Sequence, residues 1–182
     1  GRDFYALRLR RNSENLTLGY LGTFVDRPIL DREATVHAND FEYKPNENIR
    51  INGALLNSKI NNDNGYGFRA GFLNNPSKNF STGAGIYYFD DTIDLSDMGY
   101  LYRNDFLMVA GRTQFKNTDL PKGSSTRERS YLLNYSHTTD TDWNREPTNF
   151  SVTLVNGFKN FTDLQIKTFF RSSGRDNQIT RK

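Results

Sequence analysis

The chain has 182 residues, with 24 lysines and arginines against 21 aspartates and glutamates, and no cysteine. That excludes a disulfide framework, a thiolate metal site and a cysteine nucleophile. An aromatic content of 14% excludes wholesale disorder, and no run reaches the ~20 consecutive apolar residues of a membrane helix. The sequence pI is about 9.1, but acids and bases are interleaved, whereas nucleic-acid binding wants a concentrated basic face; nucleic acid is not an expected partner.

No segment has convincing helical spacing, and Gly, Asn, Thr and β-branched residues interrupt every candidate helix. Alternation of period two runs through the chain instead. Tyr5, Leu7 and Leu9 alternate with Ala6, Arg8 and Arg10. Leu16, Leu18, Tyr20 and Phe24 follow, then Ile49, Ile51 and Leu55. Tyr66, Phe68, Ala70 and Phe72 come next, then Phe80, Thr82, Ala84, Ile86 and Tyr88. Tyr131, Leu133 and Tyr135, then Phe150, Val152, Leu154 and Phe158, then Leu164, Ile166 and Phe170 complete the series. One face of each segment is apolar and aromatic; the other is polar, small or charged.

Polar turns punctuate the strands at 12–15, 45–48 and 76–79, and Lys159-Asn160 reads as a two-residue hairpin turn. Longer connections alternate with them at 27–34, 61–65, 91–102 and 140–149. The segment 117–128 is also long and breaks the alternation once. This predicts a single all-β domain over 1–182, an antiparallel up-and-down meander of about ten strands.

Strand length and face chemistry separate the β classes. A soluble sandwich strand has five or six residues, whereas a strand crossing a bilayer needs about nine to eleven, apolar outside and polar inside. The polar faces carry Arg8, Arg10, Arg50, Arg69, Gln165 and Lys167. These suit a wet lumen and are costly in a dry core. The expectation is a transmembrane β-barrel, or a segment of one, with the lipid bilayer as partner and the short turns on the periplasmic side. Tyr5, Tyr43, Tyr88 and Phe158 are candidates for the interfacial aromatic girdles. The alternative is a soluble antiparallel barrel enclosing an apolar ligand, because alternation alone does not say which face is outside.

Two stretches carry a family resemblance. The first is Gly22-Thr23-Phe24-Val25-Asp26-Arg27-Pro28, with Asp31-Arg32-Glu33-Ala34-Thr35-Val36 and Asp40-Phe41 after it. The second is Tyr88-Phe89-Asp90-Asp91, then Asp94 through Asp105, with Met98-Gly99-Tyr100-Leu101-Tyr102-Arg103-Asn104-Asp105 the most specific part. Together they resemble the C-terminal half of the bacterial domain of unknown function 5916 family, whose members join a carbohydrate-binding-module-like domain to an outer-membrane barrel. The resemblance spans roughly 5–115. It implies a bacterial outer-membrane location and a scaffold or pore-type role, linked to carbohydrate handling by a domain outside this chain. It also implies partners among further strands or domains of a longer parent and other envelope proteins. It carries no catalytic residue onto this sequence. An enzyme acting on glycans would have its active site elsewhere in the parent.

Few constellations suggest chemistry. Asp90, Asp91, Asp94 and Asp97 could supply oxygens to calcium, but their order is not that of an EF-hand, and a solvated acidic loop is the plainer reading. Asp26, Arg27, Asp31, Arg32 and Glu33 could form an inward-folded constriction, or an exposed loop of screened ion pairs. His37 and His137 lie far apart, without a carboxylate at ligand spacing. No nucleophile elbow or phosphate loop occurs, no pair of carboxylates stands out for glycoside hydrolysis, and no cofactor is expected. Gly67, Gly71, Gly83, Gly85, Gly111 and Gly157 are placed on the polar face, where they allow bending or leave room for a ligand. The first residues already alternate and the last, Arg181-Lys182, bring no stopping element, so a piece of a longer protein is expected, its wall closed either by strand 4–11 on strand 161–171 or by further strands.

Overall fold

The computed structural model describes residues 3–96, 101 and 103–175. They form one antiparallel sheet of ten strands in simple sequence order. The strands are β1 (Asp3–Asn12), β2 (Leu16–Arg27), β3 (Arg32–Tyr43), β4 (Ile49–Ile60) and β5 (Asp63–Ser77). They continue as β6 (Phe80–Phe89), β7 (Phe106–Asn117), β8 (Thr126–Thr139), β9 (Asn149–Phe158) and β10 (Asp163–Arg171). Among the described residues the one helical feature is a single 3-10 turn, Pro28–Leu30. The strands run from 9 to 15 residues, so the expected ten-strand meander of long strands is what forms.

Register carries the alternation from strand to strand. One row of paired residues reads Leu16, Tyr43, Ile51, Phe72, Ala84, Gly111, Tyr135, Phe150 and Phe170. The adjacent row reads Asn12, Thr17, Glu42, Asn52, Gly71, Gly85, Ala110, Ser136, Asn149 and Arg171. Because the side-chain period is two, these rows lie on opposite faces. Each hairpin's turn fixes its register, and nine hairpins in phase give one apolar and one polar face.

The second row also measures the shear of the sheet. It leaves β1 at its turn end, Asn12, and reaches β10 at the far end, Arg171. The turn end of β10, Asp163, lies roughly 26 Å back along that strand, over a width of roughly 43 Å at ordinary strand spacing. The line of turns is therefore inclined to the strand normals by roughly 30°, approaching the tilt of barrel strands.

The connections differ from expectation in three places. The 27–34 segment is almost all strand: β2 and β3 run to Arg27 and from Arg32, leaving only the 3-10 turn and Asp31 in the left-handed region. The 61–65 segment is a two-residue turn, Asn61-Asn62, with Asn61 at φ 52°. Asn tolerates that conformation, and its side chain also bonds Glu33 N and Asp31 O of the neighbouring turn. Conversely, Lys159-Asn160 is not a two-residue hairpin: the turn is 159–162, with Phe161 at φ 65° and the Asn160 side-chain Oδ1 accepting from Thr162 N.

The sheet is open. β1 and β10 each pair on one side only, and every residue of both is exposed. Of the two closures the sequence leaves open, the pairing of 4–11 with 161–171 does not form.

Candidate functional site

Among the described residues nothing packs over the face led by Tyr5, Leu7 and Leu9. Among the described residues, the exposed large apolar side chains lie on this face with six exceptions: Phe4 and Phe169 on the other face, and Ile29, Leu30, Trp143 and Phe161 in turns. Leu55 is 65% exposed and Phe170 61%, far more than a core tolerates. Aromatics gather toward both strand ends. Phe41, Tyr43, Phe80, Phe115 and Tyr131 stand near the turn ends, and Tyr5, Phe24, Tyr66 and Tyr88 near the opposite ends. Aromatic pairs form on this face, including Phe68 with Tyr88 at 5.5 Å and Phe115 with Tyr131 at 6.5 Å between ring centroids.

The polar face gathers all six residues singled out for it: Arg8, Arg10, Arg50, Arg69, Gln165 and Lys167. Sequence reasoning missed Arg112, Lys116, Asn149 and Arg171, which share the face. The β7 signal was blurred, because Met108 and Ala110 sit on its polar side and Gly111 and Thr113 on its apolar side. Gly111 is accordingly misassigned by the sequence reading. It pairs with Ala84 and Tyr135 on the apolar face, while Gly67, Gly71, Gly83, Gly85 and Gly157 lie on the polar face.

Charges on the polar face are laced together at the β1–β4 end. Arg8 donates two hydrogen bonds to the Asp40 carboxylate, at 2.6 and 3.1 Å, reaching across β2. Gly19 makes the crossing possible, since a Cβ there would stand 2.5 Å from the guanidinium and 2.6 Å from the carboxylate. Glu42 lies between Lys44 at 2.7 Å and Arg50 at 3.5 Å. Toward the other edge, Lys116 pairs with Glu128 at 2.7 Å.

The inward-folded loop is the β6–β7 connection, not 26–33. Ile93 is 1% exposed and lies on Gly65 and Gly67 of β5, where any Cβ on Gly65 would collide with Ile93 backbone at 2.2 Å. The Asp90 carboxylate accepts from Tyr66 N and Ile93 N, both at 2.7 Å. Asp94 N donates to the buried Ser58 hydroxyl at 3.0 Å, and Arg32 donates to the Asp94 carboxylate at 2.7 Å. Burial raises the Asp94 pKa, but hydrogen bonds from Ser96 and Arg32 outweigh it and hold the group below the ordinary carboxylate range.

The far side of the loop is tied down as well. Asn104 donates to Asp91 O and Ile93 O. Arg103 makes a two-pronged ion pair with the buried Glu146 of the β8–β9 loop and lies 5.3 Å over the Phe106 ring. Asp105 accepts from Thr141 N and its hydroxyl.

So the acidic stretch has structural work. Two of the four calcium candidates, Asp90 and Asp94, bond to backbone amides and Arg32; Asp91 contributes its carbonyl; Asp97 lies outside the described residues. Among the described residues no three acidic or histidine side chains converge on a metal position. Of the constriction candidates, Asp26, Arg27 and Glu33 are strand residues at the hairpin tip, Asp31 is in its turn, and Arg32 reaches the folded loop. The histidines are separate and each engaged, His37 Nδ1 with Tyr20 Oη and His137 Nδ1 with Thr148 Oγ1, both at 2.7 Å.

Across β6–β10 the polar face holds a trough of about 490 Å³. Gly83, Gly85 and Ala110 contribute to its floor; Tyr87, Arg112 and Lys167 are among its other lining residues. Fold and site together define an antiparallel up-and-down sheet with one uncovered apolar face and one charged, loop-capped face. No family model matches the sequence, and no curated protein or solved structure matches it.

Proposed function

We propose that this chain is the wall of an outer-membrane β-barrel, with its apolar face on lipid and its polar face toward a wet interior. The uncovered apolar face carries the reading. It extends over all ten strands, and an apolar face of that extent in water is an aggregation or docking surface. Strands of 9 to 15 residues, aromatics toward both strand ends, and the sheared line of turns support the same reading. In lipid, both sheet edges require partners for their backbone groups, so the wall is completed by further strands. The resemblance to the domain of unknown function 5916 family, on the stretch 88–105, fits a bacterial outer-membrane scaffold or pore; in this chain Asp90, Asp94, Arg103, Asn104 and Asp105 of that stretch hold the inward loop.

The test is detergent dependence. The purified chain should fold to a strand-rich, heat-modifiable form only with detergent or lipid. A monodisperse folded chain in plain buffer would contradict the reading and favour a soluble binding sheet.

A further inference from the structure

We infer that the trough across β6–β10 binds an acidic, hydroxyl-rich molecule of oligosaccharide size. This rests on the polar face being solvent-filled, whether or not the apolar face meets lipid. Arg112 of β7 and Lys167 of β10 both line the trough. They are three strands apart and on rows two residues apart, so their Cα atoms are roughly 16 Å apart. Neither meets a carboxylate among the described residues; the one recorded polar partner of Arg112 is Gln114 at 3.4 Å. The carboxylates that β7–β10 place on this face, Glu128 and Asp163, lie at the turn end and are engaged by Lys116 and Arg127. Two cations without counter-charge in one cavity select an anion, the logic of anion pores lined by Arg and Lys.

Asn134 and Ser151 stand on the row of Arg112, between the two cations, and Ser136 and Asn149 line the trough on the next row of the same face, on the side away from Lys167. The amides make long bonds among the described residues, Asn134 to Ser151 at 3.3 Å and Asn149 to Ser136 at 3.4 Å and to Pro147 O at 3.3 Å. An amide both donates and accepts, as a hydroxyl does, so this set matches a row of hydroxyls better than a bare inorganic anion. Tyr87 and Phe169, also in the lining, offer ring faces to the apolar side of a sugar ring. The small floor residues keep the space open: any side chain at Gly85 begins 3.1 Å from the Tyr87 ring.

The probe is trigalacturonate, titrated calorimetrically against the chain in a zwitterionic detergent at low salt. Saturable binding is expected, with affinity falling at least tenfold in the Arg112→Gln/Lys167→Gln variant and with added salt. Cellotriose should not bind, and inorganic phosphate should bind at least tenfold more weakly than trigalacturonate. A second readout needs no variant: trigalacturonate should protect Lys167 from acetylation, read by mass spectrometry, while Lys59 and Lys159 stay reactive. Equal binding of cellotriose or phosphate, or no protection of Lys167, would overturn the proposal. If the chain proves folded in plain buffer, the membrane reading falls, and the same protection experiment run there still decides the trough.

Discussion

Gly65 and Asp94 hold the inward loop by different means. Gly65 leaves the space that Ile93 fills, and a methyl there would meet backbone rather than a flexible side-chain tip. Gly65→Ala should therefore expel the loop while leaving the strands paired. The measurement is hydrogen exchange at Ile93 N, now bonded to Asp90, which should lose protection while amides in β8 keep theirs. Asp94 acts through charge. Its folded pKa lies below the ordinary carboxylate range, so its contribution is complete above that range and is lost as pH falls through the folded pKa. Loop protection should be flat from pH 8 to 5 and should decline below about pH 4. In Asp94→Asn that acid decline should shrink, and persistence of the full decline would assign it to other carboxylates.

At the scale of strands, facing is the property with consequences. Leu133, at the middle of β8 and 41% exposed, lies on the apolar face, and its neighbour Asn134 on the polar one. Leu133→Arg should destabilise the chain folded in lipid by roughly 2–4 kcal/mol, the cost of an arginine near the bilayer midplane. Asn134→Arg should cost much less in a urea titration in vesicles; equal costs would contradict the facing. Strand positions and the two faces were legible in the sequence because the period of two is strong wherever aromatics alternate with Arg, Gly or Ser. It faded in β7, where small and polar residues occupy both faces. The Asn61-Asn62 turn carried a signal, an Asn pair between two alternating runs, but the polar residues that follow it resembled a longer loop. The inward loop was not legible. Its holding contacts join Asp90 to Tyr66, Arg32 to Asp94 and Arg103 to Glu146, partners 24, 62 and 43 residues apart, and no local pattern announces such pairings.

For the whole molecule, the contrast between the two faces is what supports the proposal of a lipid-facing wall. Long-range pairing supplies nearly all of the organisation: each strand touches its sequence neighbours, and among the described residues no second layer covers the apolar face. A soluble sheet of this kind would bury that face against helices or a second sheet. A bilayer supplies the same cover without further chain. The polar face then needs water or a ligand, which its ion pairs and the trough accommodate. The most direct test is spin-label accessibility across the sheet in vesicles, one label at a time. Labels at Tyr43, Phe72, Tyr135 and Phe150, on one apolar row, should collide with lipid-dissolved oxygen and be shielded from a water-soluble nickel chelate. Labels at Glu42, Ser136 and Asn149, on the adjacent polar row, should show the reverse. Chelate access to both rows alike would contradict a lipid-facing wall.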